Sequence, residues 1–229
     1  MDGKADRREK VQNEIRKFAD NYLKEPFNYL NEADVQSILF CRIRDILKEE
    51  KVTMAGEHQH KYGKIDSITI NTVHREYPRE YSKEGQFDIA IIDKENHNSE
   101  PKLKNDNFWY QPVEIAIEIK LTGPHIDNMF DDIDKISKYR RQNKGNKLND
   151  HDPKTSGIVL QFIHPYLWGD KIQESKNYKG YKIEEIGLDG IIIEENKVVG
   201  YIIGITKGDT ENKVSPKRSY FKVASNSAS

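Results

Sequence analysis

The chain has 229 residues, 35% apolar and 33% charged, with 37 Lys and Arg against 38 Asp and Glu for a net charge of −1. Near-neutrality excludes a protein that grips polyanions by bulk charge, so any contact with nucleic acid has to come from local basic patches. A single cysteine, Cys41, excludes an intramolecular disulfide framework and a cysteine-rich zinc site. No apolar run reaches the roughly 18 residues of a membrane span, and the first eight residues lack the apolar stretch of a signal peptide. A cytoplasmic protein of one domain without a membrane partner is expected.

Val11, Ile15, Phe18, Tyr22 and Leu23 recur at helical spacing over 6–23, and Pro26 closes that helix. Residues 1–26 read as a helical extension to a domain that reaches residue 223, with 224–229 a disordered tail. Asn31 is an N-cap with Asp34 in the capping-box place. Behind it Val35, Ile38, Leu39, Ile43, Ile46 and Leu47 form the apolar stripe of a second helix running to about residue 51. Segment 65–77 is extended, with His74 and Glu76 on one face. A short strand follows at 87–92, and 93–107 is a polar loop.

Residues 112–120 alternate strictly: Val113, Ile115, Ile117 and Ile119 face one way, Glu114, Ala116, Glu118 and Lys120 the other. Glu114 is expected at a cleft edge or paired with a cation. A third helix, 127–141, carries Met129, Phe130, Ile133, Ile136 and Tyr139. Its acids Asp131, Asp132 and Asp134 read as a solvated face, because consecutive helical positions do not face each other. A loop then leads to a strand at 157–163. Segments 190–193 and 198–205 read as a hairpin around 194–197, and a polar tail begins at Lys207. This order argues an α/β fold, a mixed central β-sheet flanked by α-helices.

The chemistry concentrates on Asp88, Glu118, Ile119 and Lys120. Alternation puts Glu118 and Lys120 on one face, roughly 7 Å apart along the strand. If the two strands pair, Asp88 comes beside Glu118, with Cβ atoms about 5 Å apart. An acid embedded in the apolar run 87–92 would cost several kcal/mol unless compensated. Two carboxylates and the main-chain carbonyl of Ile119 suit a hard divalent cation such as Mg²⁺, and Lys120 can orient water or stabilise developing negative charge. Glu32 shares the face of Val35 and Leu39 and can point at the sheet. Lys135, Lys138, Arg140 and Arg141 form a basic group suited to phosphates.

A helix opening on Asn31-Glu32-Ala33-Asp34, a strand with Asp88, then Glu118-Ile119-Lys120 and a helix resemble the PD-(D/E)XK nuclease superfamily, over roughly residues 31–163. Phe87 stands where the motif has proline, and 30 residues separate Asp88 from Glu118. The resemblance implies a restriction-endonuclease-like core and Mg²⁺-dependent hydrolysis of DNA, with Mn²⁺ as a substitute. Asp88 and Glu118 would be metal-binding acids joined by Glu32, with Lys120 the catalytic lysine and Lys135 and Arg140 near the substrate backbone. Cutting both strands would suit a homodimer. The alternatives are a non-catalytic nucleic-acid or protein-binding module that retains the fold, or a solvated Glu-Ile-Lys face on an unrelated scaffold.

Overall fold

The computed structural model describes residues 3–60, 63–78, 86–95, 111–122, 127–142, 155–163, 177–178, 181–208 and 215–225. Its helices are α1 (Gly3–Lys24), α2 (Glu32–Ile46) and α3 (Asp127–Gln142). Its strands are β1 (Lys51–His60), β2 (Gly63–Asn71), β3 (Val73–Pro78), β4 (Gln86–Ile92), β5 (Val113–Thr122), β6 (Ser156–Ile163), β7 (Asn177–Tyr178), β8 (Tyr181–Ile186), β9 (Val198–Gly208) and β10 (Ser215–Ser225). β1 and β2 form a separate antiparallel pair, and the other eight make one mixed sheet ordered β3-β4-β5-β6-β9-β10-β8-β7. The β5–β6 and β6–β9 junctions are parallel and the remainder antiparallel. Such a sheet is mostly antiparallel with a parallel centre, and α3 is the crossover that a parallel β5–β6 pair requires. Among the described residues no helix is long and apolar enough to cross a membrane.

From Ile115 onward the alternation of β5 separates two cores; Val113, expected on the face of Ile115, instead joins the core of Ala116, where the β4–β5 register shifts between Ile91 and Ile92. Ile115, Ile117 and Ile119 join Val11, Ile15, Phe18, Val35, Leu39 and Ile43 under α1 and α2. Ala116 joins Met129, Phe130, Ile133 and Ile136 under α3. The capping box sets where α2 begins: Asn31 Oδ1 accepts from Asp34 N at 3.0 Å and Asp34 Oδ2 accepts from Asn31 N at 3.2 Å. α1 is built into the core rather than appended to it. Phe18 and Tyr22 pack against Phe162 of β6, with ring centroids 5.5 and 4.8 Å apart.

α3 sits directly on bare backbone. A Cβ on Gly157 would lie 2.7 Å from Ile136 Cγ2, and one on Gly200 would lie 2.9 Å from Met129 Sδ. Gly157→Ala and Gly200→Ala are each expected to lower stability by about 1–3 kcal/mol through overpacking. Urea unfolding checks this; an unchanged midpoint would mean that α3 can ride away from the sheet at no cost.

Two sequence expectations are corrected. Residues 190–193 are not the first strand of a hairpin, because β9 is flanked by β6 and β10 and offers no edge. Side chains serve that segment instead: Tyr201 Oη donates to Ile192 O at 2.8 Å, and Gln12 Oε1 accepts from Ile193 N at 2.9 Å. The chain after Lys207 is not a polar tail, since β10 pairs with both β9 and β8 and runs through Ser225, past the expected boundary at 223. Its charges hid the strand, and Lys217 and Lys222 are paired with Glu185 and Glu194 at 2.6 Å each. Within β3, Glu76 has φ 51°, while the β3–β4 register runs past it unshifted, from Arg75↔Ile89 to Tyr77↔Phe87.

Candidate functional site

The β4–β5 ladder ends at the pair Ile89↔Ile117, so Asp88 and Glu118 are next in register. Past that point the Asp88 side chain takes over from the main chain: Oδ2 accepts from Ile119 N at 2.6 Å. Oδ1 accepts from Gln36 Nε2 of α2 at 3.2 Å. Glu118 is 2% exposed. The ammonium of Lys120 lies 3.4 Å from Glu32 Oε1 on α2 and 3.6 Å from Asp132 Oδ2 on α3. Glu32 Oε2 also accepts from Leu121 N at 3.3 Å. Helices from the two faces of the sheet therefore converge on the end of β5.

The electrostatics follow from that convergence. Burial pushes the Asp88 carboxyl up; its bond from Ile119 and the nearby Lys120 pull it back, while Glu32 and Asp132 add to the rise, and the net direction is upward. Burial disfavours the Lys120 ammonium, but Asp132, Glu32, Asp88 and Glu118 together outweigh it and hold its pKa above the ordinary lysine value. The amine is therefore a fixed positive charge and hydrogen-bond donor at neutral pH.

Of the residues proposed from sequence, Asp88, Glu118, Ile119, Lys120 and Glu32 are gathered at this end of β4 and β5. Asp34 is the helix cap. Lys135 reaches the same region through Asp132, whose Oδ1 accepts from its Nζ at 2.9 Å. Arg140 and Arg141 lie in α3, and their side chains fall outside the described residues.

Asp132 corrects the reading of the α3 acids as a solvated face: it is 4% exposed, with Oδ2 turned to Lys120. The signal was present, because Asp132 lies three residues after Met129 and four before Ile136, on the apolar stripe. Gln36 was missed for the same reason. It stands at i, i+4 from Glu32 and three residues before Leu39, on the buried face of α2.

A second acidic group lies at the other end of the same strands. Among the described residues, Asp93, Glu95 and Glu114 offer carboxylate oxygens within 4.8 Å of one another, a spacing that could hold a metal ion. Two cations of α1 already stand among them. Arg7, 2% exposed, pairs with Glu114, with Glu50 at 2.6 Å and with Glu95 at 3.2 Å, while Lys4 pairs with Asp93 at 2.6 Å. Burial opposes the charged guanidinium, yet Glu95, Glu114 and Glu50 hold its pKa above the ordinary value. Glu114 is thus paired with a cation, one of the two expectations for it.

No protein-family model matches this chain, and neither any curated protein nor any solved structure matches it.

Proposed function

We propose that this protein is a metal-dependent endonuclease that hydrolyses DNA phosphodiester bonds on a restriction-endonuclease-like core of the PD-(D/E)XK type. The observation that carries the reading is the bond from Ile119 N to Asp88 Oδ2, which binds the aspartate of β4 to the Glu118-Ile119-Lys120 run of β5. The order of elements supports it as well: an acid-opened helix, the Asp88 strand, the Glu118 strand and a following helix meet at one end of the sheet.

The donor set fits a hard cation. Asp88, Glu118 and Glu32 supply carboxylates and Ile119 a main-chain carbonyl, all oxygen. With Asp132 the acids number four, against two lysines: Lys120, which feels all four, and Lys135, which pairs with Asp132. When bound, Mg²⁺, or Mn²⁺ in its place, supplies a lowered pKa to coordinated water and neutralises charge on a phosphate. Asp88 is oriented for such a role by donors on both oxygens. Lys120, kept protonated by its acidic neighbours, can donate to an attacking water or to a non-bridging phosphate oxygen. Two copies of the chain would bring two such sites to the two strands of a duplex.

Lys120→Met is expected to lower the cleavage rate by about 10²–10³-fold, the usual effect of removing one preorganised donor. The function itself is tested by incubating the pure protein with supercoiled plasmid, linear duplex, single-stranded and branched DNA, in Mg²⁺, Mn²⁺ or EDTA. Metal-dependent nicking of at least one form is expected. Binding without nicking of any form in either metal would overturn the proposal in favour of a non-catalytic binding module.

A further inference from the structure

Asp88 is gripped by a second donor whose orientation is itself enforced. The side-chain amide of Gln36 donates to Asp88 Oδ1 at 3.2 Å and to the main-chain carbonyl of Asp88 at 3.3 Å. Gln36 is 7% exposed and sits one turn beyond Glu32 on α2. By itself a glutamine amide could face Asp88 with either end, since oxygen and nitrogen exchange places on a half-turn. Arg75 of β3 removes that choice. A guanidinium has donors and no acceptor; its Nη2 reaches Gln36 Oε1 at 3.1 Å while Nη1 reaches Ser37 Oγ at 2.9 Å. With its oxygen committed to Arg75, Gln36 can offer Asp88 only its NH₂ end, where Asp88 presents only acceptors.

We propose that Gln36 is a positioning residue for Asp88 and that Arg75 sets the orientation of its amide. The proposal rests on the metal-dependent reading above and adds to it the relay that aims the aspartate. A carboxylate has about four lone-pair positions. Gln36 occupies one on Oδ1 and Ile119 one on Oδ2, which leaves one on each oxygen for a cation. Held from two directions, the carboxylate cannot rotate about its last bond, so capture of an ion costs it no further ordering. Partners of this kind behind a ligand change metal affinity by about 10–100-fold when removed.

The test is Mn²⁺ binding to the full chain, measured by calorimetry at fixed pH without DNA, for wild type, Asp88→Asn, Gln36→Met, Arg75→Met and the Gln36→Met/Arg75→Met double variant. Thermal melting reports their folding. Asp88→Asn is expected to lose the site, and Gln36→Met to weaken Kd by about 10–100-fold. Arg75→Met, a change at an exposed side chain, is expected to weaken Kd less and to have no further effect once Gln36 is Met. Should Gln36→Met fail to fold, Arg75→Met alone decides. Wild-type affinity in both Gln36→Met and Arg75→Met beside a lost site in Asp88→Asn would overturn the positioning role and leave the metal reading intact. Independent, additive effects of the two changes would overturn the relay. Wild-type affinity in Asp88→Asn would overturn the metal reading and the proposal with it.

Discussion

Glu118→Gln, and separately Asp88→Ala, are expected to abolish metal-dependent DNA cleavage, a loss of at least about 10²–10³-fold, while the protein remains folded. Both changes strike the oxygen donors of the proposed site. The argument that the fold survives is specific to each. Glu118 is buried, and its amide counterpart keeps the shape while removing a charge whose desolvation works against folding. Asp88 is half-buried at the end of the β4–β5 ladder, and its loss frees one main-chain N–H, that of Ile119, beside the site. Cleavage of supercoiled plasmid gives the rate, and circular dichroism with thermal melting gives the fold. Unchanged cleavage in either variant refutes the assignment.

The largest effect on stability is expected at the opposite end of the same strands. Arg7→Met should cost about 3–5 kcal/mol, because it strips the buried cation that Glu114, itself 1% exposed, shares with Glu50 and Glu95, and leaves those acids facing one another unpaired by it. The Arg7→Met/Glu114→Gln pair should cost less than Arg7→Met alone, since one of the facing acids is then gone. Urea unfolding at neutral pH measures both, and a double variant as unstable as the sum of its parts would show that the ion pair is not the cause.

The pH dependence has a defined sign. Burial raises Glu114 from 4.5 to about 7 despite Arg7, so the folded state holds its proton more tightly than the unfolded chain. Its contribution to stability is full below about pH 4.5 and is lost as pH rises through about 7. The stability of wild type relative to Glu114→Gln should therefore fall across that window. A difference that rises with pH would mean that Arg7, not burial, controls the carboxyl.

Much of this molecule was legible as periodicity. The 3.6-residue stripes of α1, α2 and α3 and the strict alternation of β5 are local properties, set by which side chains can share a face. They lead directly to Asp88, Glu118 and Lys120 as the odd polar members of apolar runs. What stayed hidden were polar residues that obey the apolar period. Arg7, Gln36 and Asp132 each stand on a buried stripe, but a charged or amide side chain there has no meaning until its partner is known. Those partners lie 107, 52 and 12 positions away, at Glu114, Asp88 and Lys120.

Thus the amino-acid order alone determined the helices, the principal strands and the candidate chemistry, because burial patterns are written over a few consecutive turns or pleats. The strand order, the conversion of an apparent tail into β10 and the convergence of α2 and α3 on Lys120 were decided by tertiary structure alone. Each depends on which distant surfaces become neighbours, and a buried charge is tolerable only where that neighbour carries its complement.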